Sequence, residues 1–247
     1  MRTRIAPARA LICGLLLLVL SAGCTPYRTP PRTSPPPSEP PWRSHHLLPN
    51  LSLAGAREID SRSLAETEHI LQLRDGTVLF QADLDIDVDG SPNARRLDPD
   101  HGQLTTSYRY SGLTGQRSYV DSEQVPYIVL PLGFPERFGI ELGDLAVVIH
   151  RDRVAFAVFA DVGPADRIGE GSIRLAELLG HHPWDHWDGN ESFSTHGSIV
   201  TTDVLYIVFP RSRSAALTPA TAVETIQRNG AVLFRSLGGV LPIESLP

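Results

Sequence analysis

The sequence predicts a mainly β protein with a few short helices, folded as a compact β-barrel or sandwich. Its 247 residues and 41% hydrophobic content are enough for one domain with a proper core. Several short runs are rich in β-branched and aromatic residues and are bounded by Gly, Pro or Asp. Only a few segments favour helix, which argues against a doubly wound sheet.

The first 23 residues have the three zones of an export signal. Three arginines precede an apolar run at 11–20, and small residues then lead to Cys24 in a pattern that resembles a bacterial lipobox. Cys24 is the single cysteine of the mature chain, because Cys13 leaves with the signal. We therefore predict lipidation of Cys24 and attachment to a lipid bilayer at the cell envelope. The alternative is ordinary secretion with a free thiol.

Composition divides the remaining chain into two parts. Residues 24–49 are rich in proline, serine and threonine, which predicts a lipidated cysteine followed by an extended spacer. Residues 50–247 form the predicted catalytic domain, with its core at 78–234. Loss of the three signal arginines leaves 19 basic residues, all arginine, against 28 acidic ones. Such a chain repels anionic polymers and attracts cationic ones, and no basic cluster indicates a nucleic-acid partner.

The elements follow from local pattern. Apolar β-rich runs predict strands at 77–80, 125–130, 145–150, 154–160 and 204–209, with a hairpin across Arg151 and Asp152. Start and stop signals predict helices from Ser172 to Gly180 and from Thr218 to Gly230, and residues 64–73 have the pattern of another short helix.

Asp161 and Glu170 stand out as candidate catalytic residues. Asp161 follows a strongly apolar strand, and Glu170 lies in a glycine-flanked turn a few residues later. Inverting cleavage of a glycosidic bond uses one carboxylic acid and one carboxylate about 6.5–9.5 Å apart. Acids at turns and helix starts are also common without any catalytic role, so spacing alone leaves both interpretations open.

Several motifs follow one another along the chain: Ala82 to Gly90, Val125 to Pro131, Gly143 to Leu145, the Asp161 and Glu170 motifs, and Tyr206 to Phe209. In sequence and order these motifs resemble family-75 glycoside hydrolases, the fungal-type chitosanases. The resemblance implies that Asp161 and Glu170 are the two essential carboxyls. It also implies an endo-acting, inverting enzyme that cleaves β-1,4 glucosaminyl linkages in chitosan with no metal or organic cofactor. Val88 stands where fungal members carry a cysteine, which is consistent with a chain that lacks disulfides.

The segment around Asp161 also resembles the Asp-Gly segment of double-psi β-barrel enzymes that cut peptidoglycan. This analogy favours a double-psi barrel, with Asp161 as general acid and Glu170 as general base. The reverse assignment stays open. The chain is alternatively an enzyme of this fold acting on peptidoglycan, or a noncatalytic carbohydrate-binding envelope lipoprotein.

Two further motifs are candidates for substrate binding. Asp85, Asp87 and Asp89 alternate along a predicted strand, where they line a subsite for protonated amino sugars or form a solvated edge. The start of this segment resembles a calcium loop, but Arg96 stands at the twelfth position, where an EF-hand requires a bidentate glutamate, and this argues against an EF-hand. Trp184 and Trp187 stack on sugar rings or tack a loop onto the barrel. The histidines beside them match no standard zinc spacing, so no metal site is predicted.

Overall fold

The structure is a computed structural model that describes residues 42, 45–65, 67, 69–181, 184–187, 190–193, 200–214 and 217–242. Its strands are, in chain order, β1 (Arg57–Ile59), β2 (Ile70–Gln72), β3 (Val78–Asp87), β4 (Tyr127–Pro131), β5 (Leu145–His150), β6 (Arg153–Gly163), β7 (Glu170–Ser172), β8 (Trp184–Trp187), β9 (Asn190–Phe193) and β10 (Val200–Phe209). Its α-helices are α1 (Ala94–Leu97), α2 (Phe134–Phe138), α3 (Ile173–Leu178) and α4 (Ala222–Ser236), and a 3₁₀ turn covers Gln116–Ser118.

Six of the strands close into a barrel in the order β3, β10, β5, β6, β4, β7 and back to β3. The pairings β3–β7 and β4–β6 are parallel, and the other four are antiparallel. The predicted mainly β barrel is confirmed, and closure decides against a sandwich. Two parallel pairings are consistent with the double-psi subtype, which stays a prediction.

Both faces of the central strands are buried, which explains their unbroken apolar sequences. On β6, Phe156 and Val158 belong to one hydrophobic cluster, whereas Ala157 and Phe159 belong to another. Helix α4 adds Phe234 to the first cluster, and α3 packs with the second. The two clusters therefore lie on opposite faces of the barrel strands. Beyond Phe159, the end of β6 carries the polar side chain of Asp161.

Helix α3 is confirmed, because the Ser172 side chain accepts a hydrogen bond from the Leu175 N–H at 3.1 Å and so caps its start. The predicted helix at 64–73 is wrong: β2 lies there and pairs with β3. The end of the last helix is also wrong, since α4 continues to Ser236. Gly230 is buried against Phe156, where an added Cβ would meet the ring at 2.6 Å. This glycine therefore serves close packing within the helix.

The segment before β1 contributes to the domain. Trp42, Leu47 and Leu48 are buried in the same cluster as Phe156 and Phe234. The carbonyl of Leu47 accepts a hydrogen bond of 2.9 Å from the N–H of Val240, which ties this segment to the chain after α4. The C-terminal part of the predicted 24–49 spacer thus includes residues that the folded domain buries.

Among the described residues, no helix combines the length and the hydrophobicity that crossing a bilayer requires.

Candidate active site

A groove of about 900 Å³ opens over one end of the barrel. It is lined by the ends of β3, β4, β6 and β7 and by the loop at 101–107. Among the described residues, six acidic ones line it: Asp85, Asp87, Asp89, Asp98, Asp161 and Glu170. All except Asp98 are candidates selected from the sequence. The structure therefore gathers both predicted catalytic carboxyls and the predicted acidic subsite in one place.

Asp161 and Glu170 occupy the two strands that flank β4. Each lies opposite Val129, Asp161 in the parallel pairing with β6 and Glu170 in the antiparallel pairing with β7. Residues opposite one another in a sheet share a face, so both carboxyls stand on the same side of β4. Two strand spacings separate their Cα atoms by about 10 Å. Glu170 is in turn opposite Asp85 of β3, which extends the acidic row.

A β-bulge in β6 aims Asp161 at this face. Ile128 pairs with Phe159, but the next residue of β4, Val129, pairs with Asp161, so Ala160 is the extra residue. Regular alternation would place Asp161 on the opposite face from Ala160. A bulge brings two consecutive side chains to one side of the strand and commonly re-aims a functional residue.

The carboxyl of Asp161 is held by three donors on a single oxygen. Oδ1 accepts hydrogen bonds from the Val162 N–H at 2.8 Å, the Ser107 N–H at 3.1 Å and the Ser107 hydroxyl at 2.5 Å. The residue is only 8% exposed. Burial raises the pKa of Asp161, although these hydrogen bonds act in the opposite direction. Asp161 is thus a buried, oriented carboxyl with an enhanced tendency to hold a proton.

Asp87 and Asp89 crowd Asp161. One carboxylate oxygen from each of the three residues lies within 4.8 Å of the others. Burial, followed by the charge of Asp89, raises the pKa of Asp87 well above its usual range. Burial raises the pKa of Asp89 to about 7, and the charge of Asp161 adds to the effect. Three carboxyls this close hold protons jointly, and Asp161 lies at one end of that cluster.

Among the described residues, Asp87, Asp89 and Asp161 form the one group whose carboxylate oxygens lie close enough together to bind a metal ion. Acidic clusters of this kind are common without a metal. Burial raises the pKa of all three carboxyls.

Glu170 has a different electrostatic neighbour. The Arg167 guanidinium Nη1 lies 3.9 Å from Glu170 Oε1 and 4.0 Å from Asp85 Oδ2. Arg167 is half exposed at the rim of the groove, so solvent screens its charge. The two candidate catalytic carboxyls therefore differ in their neighbours: Asp161 lies beside other carboxyls, whereas Glu170 lies beside the arginine Arg167.

Two glycines allow Glu170 to approach the groove. Gly169 has a φ of +104°, and a Cβ there would lie 2.7 Å from Asp83 Oδ1. Gly163, at the end of β6, would place a Cβ 2.8 Å from Glu170 Oε2. Glycine at both positions lets the turn before β7 pass close to β3 and β6.

The remaining predicted residues lie elsewhere. Trp184 and Trp187 belong to β8, which pairs with β9 in a separate two-stranded sheet rather than the loop expected from composition. Their role in sugar stacking stays a prediction. Cys24 lies outside the described residues. The sequence missed Ser107 and Arg167: neither belongs to a recognisable motif, and a seryl donor 54 positions from its carboxylate leaves no local signal.

A family model described as fungal chitosanase of glycosyl hydrolase group 75 matches residues 84–236. The match spans all strands of the closed barrel except the first part of β3, and it includes every acidic residue of the groove. No curated protein shows significant similarity to the chain.

Proposed function

The chain belongs to the fungal chitosanase family of glycosyl hydrolase group 75, and we propose that it is an endo-acting, inverting enzyme that cleaves β-1,4 glucosaminyl linkages in chitosan. It is a glycoside hydrolase by family. The observation that carries the finer proposal is the placement of Asp161 and Glu170 on one face, on either side of Val129. An inverting mechanism needs two carboxyls on either side of the scissile linkage, with a water molecule between one of them and the sugar, and this placement supports it.

Asp161 is the general acid in this proposal. Burial raises the pKa of Asp161, which favours the protonated form that a general acid needs. It gives its proton to the glycosidic oxygen as the bond from that oxygen to the anomeric carbon breaks. Glu170 is the general base: it takes a proton from the water molecule that attacks the opposite face of the anomeric carbon. Arg167 places a positive charge 3.9 Å from Glu170 Oε1.

The substrate follows from the charge of the groove. Six carboxyl groups line it, with Arg167 as the single arginine among the described lining residues. A deacetylated amino sugar carries an ammonium group, which carboxylates bind by charge-assisted hydrogen bonds. We assign Asp85, Asp87 and Asp89 to subsites for these ammonium groups, because a bound positive charge favours the ionised form of a neighbouring carboxyl. Trp184 and Trp187 are proposed to stack on sugar rings.

The test is release of new reducing ends by the mature chain, with Cys24→Ser for solubility, from chitosan, chitin and peptidoglycan. Rapid release of short oligomers from chitosan is expected, with little product from the other two polymers. Cleavage of peptidoglycan alone would show that the substrate of the groove is peptidoglycan and would overturn the assignment to chitosan. Binding to chitosan without product would make the protein a carbohydrate-binding lipoprotein and overturn the proposal.

We also propose that Cys24 is the lipid attachment site, which tethers the domain to the cell envelope through the spacer. The three-zone N-terminus and the single mature cysteine support this. Mass spectrometry of the N-terminal peptide is expected to find a lipid on Cys24, and Cys24→Ser is expected to move the protein out of the membrane fraction. An unmodified Cys24, or a mature N-terminus elsewhere, would sink the anchor and leave the enzyme proposal intact.

A further inference from the structure

Ser107 contacts Asp161 from outside the strand that carries it. Its N–H and its hydroxyl both donate to Oδ1 of Asp161, at 3.1 and 2.5 Å. With the Val162 N–H, Oδ1 has three donors. Within the described part of the chain, no hydrogen bond reaches the other oxygen, Oδ2. The two oxygens of this carboxyl are therefore in different environments: Oδ1 is bound to the loop and to the Val162 N–H, whereas Oδ2, in a residue that lines the groove, has no such partner among the residues described.

The residues on both sides of Ser107 are fixed to the barrel. The buried Thr106 hydroxyl accepts a hydrogen bond from the Val120 N–H at 3.1 Å. The Tyr108 N–H donates to the carbonyl of Ala160 at 2.8 Å, immediately before Asp161 in β6. Ser107 itself is exposed and lines the groove. An exposed serine held by two anchored neighbours presents its hydroxyl in a defined direction, as pre-organisation of a reacting group requires.

We propose that Ser107 is a positioning residue for the hydrolytic reaction, which turns Oδ1 of Asp161 towards the loop and leaves Oδ2 as the oxygen that donates the proton. The inference rests on the proposed role of Asp161 as general acid. In the ground state Oδ2 carries the proton and Oδ1 is the carbonyl oxygen that accepts from Ser107. As the proton leaves for the glycosidic oxygen, negative charge develops on the carboxyl and the same hydrogen bonds strengthen.

This sequence of events lowers the barrier. A hydrogen bond that is stronger in the transition state than in the bound ground state raises kcat, whereas equal binding of both states does not. The Ser107 hydroxyl also lowers the proton affinity of Asp161 against the effect of burial. Loss of that hydroxyl is thus expected to move the loss of activity at high pH to a higher pH, since Asp161 would stay protonated longer.

The experiment compares Ser107→Ala, Ser107→Thr and the matched control Ser111→Ala in the mature chain. Ser111 is an exposed turn residue outside the groove lining. The pH dependence of kcat is measured on a soluble glucosamine oligomer, with melting temperature as the check of folding. For Ser107→Ala we expect kcat to fall roughly 10- to 100-fold with KM little changed, and the high-pH limb to move upward. Ser107→Thr keeps the hydroxyl, so its high-pH limb is expected to lie at the wild-type position.

A Ser107→Ala profile that coincides with the wild-type profile would overturn the inference, as would a fall in kcat with neither limb displaced. Movement of the low-pH limb instead would make Asp161 the base and overturn the stated role of Oδ2. If Ser107→Ala does not fold, Ser107→Gly gives the same comparison without a hydroxyl. Asp161→Asn, measured beside these variants, separates the two proposals: full activity in Asp161→Asn removes the function assigned to Asp161, whereas an inactive Asp161→Asn with an unshifted Ser107→Ala removes only the role of Ser107.

Discussion

Asp161 and Glu170 lie opposite the same residue of β4, one on each neighbouring strand, so the barrel itself sets their separation. Asp161→Asn and Glu170→Gln each keep the side-chain volume while removing a proton-transfer role. We expect turnover of chitosan to fall by about 10² to 10⁴-fold in either variant, with folding and chitosan binding retained. Initial rates, melting temperatures and pull-down with insoluble chitosan test this.

Asp98→Asn is a useful comparison for those two variants, because Asp98 lines the same groove but lies outside the row across β4. A smaller loss of turnover is expected there than in either catalytic variant. Near-normal rates in both Asp161→Asn and Glu170→Gln, with a lowered melting temperature, would mean that these acids serve only the turn and the strand end.

The strands could be predicted where burial on both faces produced unbroken apolar runs, as at β5 and β6. The short strands β1 and β2 have no such apolar run. The pattern of residues 64–73 is compatible with a helix or a strand, and the pairing of β2 with β3 determines that a strand forms there. The closure of the barrel through Asp85 and Glu170 joins positions far apart in sequence. The resemblance to known motifs identified both catalytic candidates. Ser107 could not be predicted, because it contacts Asp161 only in the folded structure.

Gly230 tests how tightly α4 packs on the barrel. Alanine at an exposed helical position usually stabilises relative to glycine, by up to about 1 kcal/mol. Here the added Cβ would meet Phe156 at 2.6 Å. We therefore expect Gly230→Ala to destabilise the domain by roughly 1–3 kcal/mol, as overpacking of a core does. Urea unfolding measures it, with exposed Gln227→Ala as control. A Gly230→Ala variant as stable as the control would show that the helix shifts freely away from the strand.

The crowded acids predict a pH-dependent stability. Burial raises the pKa of Asp89 to about 7, above its value in the unfolded chain. A carboxyl whose pKa is raised on folding stabilises the protein below the unfolded pKa, and that stability is lost as the pH rises through about 7. Asp89→Asn keeps an oxygen for the 2.7 Å hydrogen bond from the Gln103 N–H. It is expected to raise the melting temperature at pH 8 and to change it little near pH 4.

The size of that increase is set by the domain, for which each kcal/mol corresponds to about 2–4 °C. Asp100→Asn, at an exposed turn outside the groove lining, is the matched control and is expected to behave alike at both pH values. Equal effects of Asp89→Asn at pH 4 and pH 8 would contradict the proton-sharing cluster.

The acidic groove predicts a salt-dependent affinity for chitosan. Exposed charges are screened over about 10 Å at 0.1 M salt and about 3 Å at 1 M. We expect KM for chitosan to rise with salt and with increasing acetylation of the polymer, because both weaken contacts between carboxylates and ammonium groups. Asp85→Asn, which removes one charge from the acidic row, is expected to reduce the salt dependence of KM. Steady-state kinetics at several salt concentrations and degrees of acetylation measure this. Equal turnover of chitin and chitosan at every salt concentration would contradict an acidic subsite for ammonium groups.

The stereochemistry of the product tests the separation of the two carboxyls most directly. Asp161 and Glu170 project from strands on either side of β4, and their Cα atoms lie about 10 Å apart, two strand spacings. Carboxyl groups about 6.5–9.5 Å apart leave space for the attacking water, whereas a retaining enzyme needs them at about 5–5.5 Å for direct attack on the sugar. Single displacement by water at a β-linked sugar gives an α-anomer first. We therefore expect proton NMR, recorded in the first minutes of hydrolysis and before mutarotation, to detect the α-anomer at the new reducing end. A β-anomer as first product would require a covalent intermediate formed by attack of a carboxylate on the anomeric carbon, and it would overturn the inverting mechanism.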